Sequence, residues 1–138
     1  MSILNRQFPH LLPDDIAVWQ AFLKQCPARW HVIDYDVRVG PGTDPGDSVS
    51  PKYRQVGLEL SQMRIDAVGH LPNIIEIVEI TTQAGLKAIG QLVSYPILFH
   101  HDFAPPKTVR PLLVCTSLKP GISTVLSELQ IPHIIVNV

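Results

Sequence analysis

Apolar side chains recur along this chain at two periods, and the switches between them predict its elements. In IAVWQAFLKQ, Ile16, Trp19, Ala21, Phe22 and Leu23 recur at roughly helical spacing. Asp14 and Asp15 stand just ahead, where capping and the helix dipole favour carboxylates, and Pro27 lies just beyond. A first helix is predicted over 14–25. From Trp30 to Val39 the period shortens to two. Ile33, Tyr35, Val37 and Val39 alternate with Val32, Asp34, Asp36 and Arg38, the pattern of a half-buried strand. The stretch GPGTDPGDSVSP then reads as a surface loop of about a dozen residues, a length at which loops often bind something.

A second strand is predicted within 56–68, ending in MRIDAV. His70-Leu71-Pro72-Asn73 makes a turn, and the β-branched run IIEIVEITT over 74–82 is a third strand, so 57–82 reads as a hairpin. Within 83–99, Leu86, Ile89, Val93 and Ile97 lie near one helical face. Ala88, Gly90 and Ser94 are small enough for close approach to a sheet, and Pro96 should kink or end the helix. Residues 100–110 read as loop. PLLVCT is apolar throughout, as in a strand buried on both faces. A short helix over 120–130 and a fifth strand over 131–138 close the chain. Strand, helix, strand in that order implies a parallel pair with a right-handed crossover. The prediction is one α/β domain over 1–138, ordered α-β-β-β-α-β-α-β, with a mixed central sheet flanked by helices.

Composition narrows the function classes. Apolar residues make up 46% and charged residues 17% of 138, which suits a packed core and not a disordered chain. A net charge of -1 provides no global basic field for non-specific nucleic-acid binding. Cys26 and Cys115 fit no zinc spacing and no disulfide framework, and read as reduced thiols. MSILNRQFPH has no apolar signal core, and no apolar run approaches the ~20 residues that span a bilayer. The expectation is a soluble protein made in a cytoplasm.

Candidate chemistry centres on Asp66 and Glu79. They lie on adjacent predicted strands and can converge on one point, where two oxygen ligands suit Mg²⁺. Gln91 and Tyr95 are four apart and share a helix face. Plainer readings stand beside these. Glu79 faces solvent from a sheet edge, Asp66 pairs with Arg64, and Gln91 and Tyr95 hydrogen-bond at a helix–sheet contact. Glu76, facing away from Glu79, is solvated or paired with a basic side chain. His100, His101 and Asp102 are adjacent in a loop, a poor geometry for chelating one ion.

The segments RIDAV, IVEIT and AGLKAIGQLVSY resemble the PD-(D/E)XK nuclease superfamily, and especially its RecB-like branch. The resemblance implies a restriction-endonuclease-like core, with Asp66 and Glu79 as metal ligands and Gln91 and Tyr95 as the helical pair. The family lysine position is Thr81 here, a neutral side chain that cannot stabilise a developing anion. Some members recruit a lysine from the next helix, and Lys87 is the candidate in that segment. LLPDDIAVWQAFL and the strand YDVRVG further resemble short proteins of tailed phages.

Three functions follow. The first is a non-catalytic building block in the connector, neck or tail of a virion. It would be oligomeric, bound to other protein subunits, and use the proline-rich loops at 41–51 and 102–111 as contact surfaces. Near-neutral charge and the missing lysine favour it. The second is a Mg²⁺-dependent DNA nuclease using Asp66, Glu79, Gln91 and Lys87, with a basic rim from Lys52, Arg54, Arg64 and Lys87. The third is a DNA-end or nucleoprotein binding module without cleavage.

Overall fold

The computed structural model describes residues 11–138; the N-terminal stretch read above, with His10, lies outside the described residues. Helix α1 spans Pro13–Gln25, with Pro13 in its first turn, Asp14 and Asp15 beside it and Lys24 in its last turn. Strand β1 (Val32–Val39) leads to helix α2 (Pro51–Ser61), then strands β2 (Met63–His70) and β3 (Ile74–Ile80). A two-residue strand β4 (Gln83–Ala84) precedes the long helix α3 (Leu86–Phe103). Strands β5 (Thr108–Cys115) and β6 (Ser117–Leu118), helix α4 (Ile122–Glu128) and strand β7 (His133–Ile135) complete the chain.

The central sheet runs β1-β2-β3-β5-β7, and β4 pairs with β6 beside it. The first three strands are antiparallel; β3, β5 and β7 are parallel. This is the mixed sheet with flanking helices that the hydrophobic pattern predicts, and the β5-α4-β7 unit supplies the expected parallel pair. Alternation sorts β5 between two layers. Leu112 and Val114 join Val18, Trp19 and Phe22 of α1 on one face. Leu113 and Cys115 join Ala88 and Leu92 of α3 and Ile122 and Leu126 of α4 on the other. Cys26 and Cys115 are both free, and burial pushes the Cys115 thiol up to about 11.

Several predicted boundaries move. The segment 51–61 is helix, not the start of a strand. Val56, Leu58 and Leu60 alternate for only five residues, while Pro51 follows Ser50 as a helix start and the Arg54 N–H bonds the Ser50 carbonyl at 2.8 Å. No side chain of α2 is buried. Pro96 does not end α3, which continues to Phe103 because Tyr95 and Phe99, one turn apart, both pack beneath it with Ile75 and Ile77. Residues 100–103 are therefore helix. Asp102 there accepts the Gly40 N–H at 2.8 Å, a structural latch and not part of a metal cluster.

The alternation predicted for β1 also breaks. Ile33 and Tyr35 pack on the α1 face, whereas Val37 packs with Val39 against the opposite cluster. Between them Asp36 adopts φ +56°, and this left-handed residue turns the following side chains over. Across the ladder β2 does the same, with Ala67 on the α1 face and Ile65 on the α3 face. The β2–β3 pairing runs only from Ala67↔Val78 to His70↔Ile75. Beyond it the Asp66 carboxylate accepts the Ile80 N–H at 2.9 Å, taking over a backbone partner where the strands part.

Glu76 lies on the α1 side of β3 and is 0% exposed. It accepts two hydrogen bonds from Arg29 at 3.0 Å, one from Arg110 at 3.1 Å and one from the Trp30 indole at 2.9 Å. Burial opposes its ionisation, but these donors and the two guanidinium charges outweigh it and hold the carboxyl below its ordinary range. Trp30 reaches Glu76 by crossing Gly69, its cross-strand neighbour, so closely that a Cβ there would lie 2.2 Å from the ring.

Gly69→Ala is therefore expected to lower stability by about 1–3 kcal/mol, the usual range for overpacking. Urea unfolding measures it; an unchanged midpoint would mean that the indole shifts aside freely.

Candidate functional site: a carboxyl cluster where the sheet opens

Between the start of α1, the end of β3 and the first turns of α3 lies a cleft of about 600 Å³, lined by Asp14, Asp15, Glu79, Thr81, Lys87 and Gln91 among others. It sits beyond the C-terminal ends of the parallel strands β3 and β5, where open α/β sheets place their ligands. Glu79 points to the α3 side of β3, sharing a face with Ile75 and Ile77. It is 8% exposed, so the solvent-facing reading of Glu79 is wrong. Its Oε2 is buried with no hydrogen-bond partner among the described residues.

Burial and the adjacent Asp66 carboxylate push Glu79 up to about 9. A hydrogen bond between the two carboxyls, which requires one of them to be protonated, adds to this, as does the charge of Asp15. Lys87 acts in the other direction, favouring the ionised form. Asp15 is itself raised to about 6, by burial first and then by Asp66 and Asp14. From α3, the Gln91 amide donates to the Tyr95 hydroxyl at 3.2 Å. Burial raises Tyr95, and Glu79 and Asp66 raise it further.

Glu79 and Gln91 line this cleft, while Asp66 and Tyr95 stand behind it, close enough for Asp66 to act on Glu79 and for both carboxyls to act on Tyr95. Lys87 is exposed on the rim of the cleft, and its charge reaches Glu79 without a direct ion pair. Asp66 does not pair with Arg64, which instead lies 3.5 Å from Asp36. The predicted basic rim is not assembled. Arg54 is engaged by Asp44 and Asp47, and of Lys52, Arg54, Arg64 and Lys87 only Lys87 lines the cleft. Two residues escaped the sequence reading. Asp15 was assigned to helix capping, and Lys119 was not singled out. Its place in SLKPG, directly after a buried parallel strand, was the available signal.

Among the described residues, no three His, Cys, Asp or Glu side chains are arranged to hold a metal ion by themselves. Two carboxylates nevertheless suit Mg²⁺, which commonly takes one or two and keeps its waters or substrate phosphates. The unpartnered Glu79 Oε2 beside Asp66 fits that role. No helix among the described residues is long and apolar enough to cross a membrane.

No family model matches the chain, and no curated protein matches it significantly. Among solved structures it is similar to EndoMS in the EndoMS-dsDNA2 complex, at 16% identity and a TM-score of 0.49, over 93% of this chain and 47% of that one. The chain therefore spans about half the length of that protein.

The raised Glu79 makes a signed prediction. The folded state binds a proton that the unfolded state releases near 4.5, so stability without metal should fall as pH rises from about 4.5 towards about 9. Glu79→Gln should flatten this slope and melt above wild type at pH 9. Superimposable pH–melting curves for the two proteins would show that Glu79 ionises without penalty.

Proposed function

We propose that this chain is a Mg²⁺-dependent nuclease acting on DNA, with Asp66 and Glu79 as the metal ligands. The observation that carries this reading is the buried, unpartnered Glu79 oxygen held against a second carboxyl. Such a pair is costly with no cation and favourable with one. A bound Mg²⁺ would supply Lewis-acid polarisation of a phosphodiester oxygen and a more acidic water. Gln91 lines the same cleft as Glu79 and is oriented by Tyr95. Lys87 contributes positive charge near the place that Thr81 leaves neutral. Asp15 adds a third acidic side chain at the cleft, and a divalent ion would draw it towards its ionised form. The motif resemblance supports the same substrate class.

A second reading, assembly within a phage connector, neck or tail, is favoured by helix α2. It buries no side chain, and Tyr53 and Leu60 are 64% and 69% exposed. An interface would cover such residues. In that case the protein would sediment as an oligomer, and Tyr53→Ser with Leu60→Ser would yield monomers.

For the nuclease, plasmid cleavage should require Mg²⁺ or Mn²⁺ and stop with EDTA. Asp66→Ala and Glu79→Ala should each lose about 10²–10³ in rate, the scale of lost electrostatic stabilisation. Mg²⁺ should also raise the melting temperature of wild type but not of Glu79→Ala. Equal cleavage by wild type and Glu79→Ala would reject these ligands.

A further inference from the structure

We propose that the outer face of helix α3 is a dimer seam, where a second copy of this chain packs its own α3 antiparallel across a two-fold axis. This does not depend on the nuclease reading, and it uses a different surface from helix α2. The hydrophobic pattern groups Leu86, Ile89, Val93 and Ile97 on one face, but the structure divides them. Ile89 turns inward with Ala88, Leu92, Tyr95 and Phe99. Leu86, Val93 and Ile97 are 76%, 42% and 65% exposed. With the exposed Gly90 among them, they follow one another at steps of four, three and four residues. That is the seven-residue repeat with which one helix packs along another. No charged residue interrupts the four positions.

Gly90 extends the argument from an exposed stripe to a partner. Glycine weakens a helix interior relative to alanine. The close approach to the sheet expected of the small residues holds for Ala88 and fails for Gly90. A Cβ at Gly90 would meet nothing within 4 Å, so no described part of the chain needs the space. A second helix lying across this face would use it, because a missing side chain lets another backbone come close.

The stripe is complementary to itself, which identifies the occupant as a second copy. In an antiparallel two-fold pair, aligning Leu86 with Ile97 of the other copy sets Gly90 opposite Val93, and the symmetry repeats both contacts. The gap at glycine is thus filled by valine in each direction. Ile97 stands between two hollows, one of about 320 Å³ beside Gly40 and Leu98 and one of about 580 Å³ beside Pro105 and Pro106. They leave room for Leu86 of the other copy. Charge agrees with the orientation. Lys87 in the first turn and Asp102 in the last, beside two histidines, both oppose the dipole of their own helix. An antiparallel neighbour sets each of these ends towards the opposite end of the other helix. The three apolar side chains offer on the order of 300 Å², the size of patch that marks interaction sites on monomers. Doubled by symmetry and widened by the hollows, the seam falls in the range of weak, reversible association.

The test is sedimentation velocity over a range of concentrations up to about 1 mM. Wild type should shift from monomer to dimer as concentration rises. Ile97→Glu, which symmetry would bury twice in one seam, should weaken association at least about thirtyfold, as loss of a central contact does. Gly90→Leu should do the same, yet dilute protein should melt at or above wild type, because the space is open within one chain. Tyr53→Ser with Leu60→Ser, on α2, should leave this dimer intact. Orientation is read by mild oxidation. The double variant Leu86→Cys with Ile97→Cys should form disulfide-linked dimers. Neither single variant should, nor wild type with its own Cys26 and Cys115. A wild type that stays monomeric overturns the seam, even where another macromolecule covers the face. So does a dimer that survives both Ile97→Glu and Gly90→Leu, or one that only the α2 pair dissociates. Disulfides in the single variants mean a parallel pair and overturn the antiparallel arrangement.

Discussion

A carboxyl group sealed from water beside a second carboxyl is the constraint on which this molecule turns. Glu79 cannot ionise there without cost, and the fold around it is arranged to hold that situation in place. Asp36, in a left-handed conformation, turns β1 over; β2 follows, and the β2–β3 ladder ends at Ala67↔Val78. Asp66 then uses its carboxylate to hold the Ile80 N–H, so the same side chain that terminates the pairing is fixed against Glu79. The register of that ladder, carried one step further, sets Asp66 opposite Glu79, so the two carboxyls are neighbours at the point where the pairing stops.

Strand β3 carries its own control. Glu76 and Glu79 are three residues apart, both buried, and on opposite faces. The fold neutralises Glu76 completely, with two arginines and an indole, and the group is held ionised. It leaves Glu79 with a carboxyl neighbour, an orphaned oxygen and a raised proton affinity. Removing one partner from a buried ion cluster is costly, so the Glu76 arrangement reads as architecture. Among the described residues Glu79 itself has no arginine or indole of this kind, only the more distant charge of Lys87, and an incoming cation would supply the difference.

The sequence made the mixed sheet with its flanking helices, the hairpin that carries Asp66 and Glu79, and the shared helix face of Gln91 and Tyr95 legible, because alternation and i,i+4 spacing are local properties. It could not reveal how β1 divides, since Ile33, Tyr35, Val37 and Val39 read as one stripe until Asp36 is known to sit at positive φ. Helix α2 was hidden by a five-residue alternation that fits a strand equally well. Pro96 misled because a missing hydrogen bond weighs less than two buried aromatic side chains on either side of it. The burial of Glu76 depends on Arg29 and Arg110, 47 and 34 residues away, and Lys119 reaches the cleft only through the β4–β6 pair. These are long-range facts that spacing does not encode.

Helix α2 gives the β1–β2 connection an unusual freedom. Its two ends are pinned, with Gly40 held by Asp102 and by Gln62 and Ser61 returning to Thr43, while nothing between them enters the core. The segment behaves as a handle clipped to the body at its base. Length and surface chemistry can change along that handle without disturbing the carboxyl cluster, which makes it a tolerant graft point on this chain.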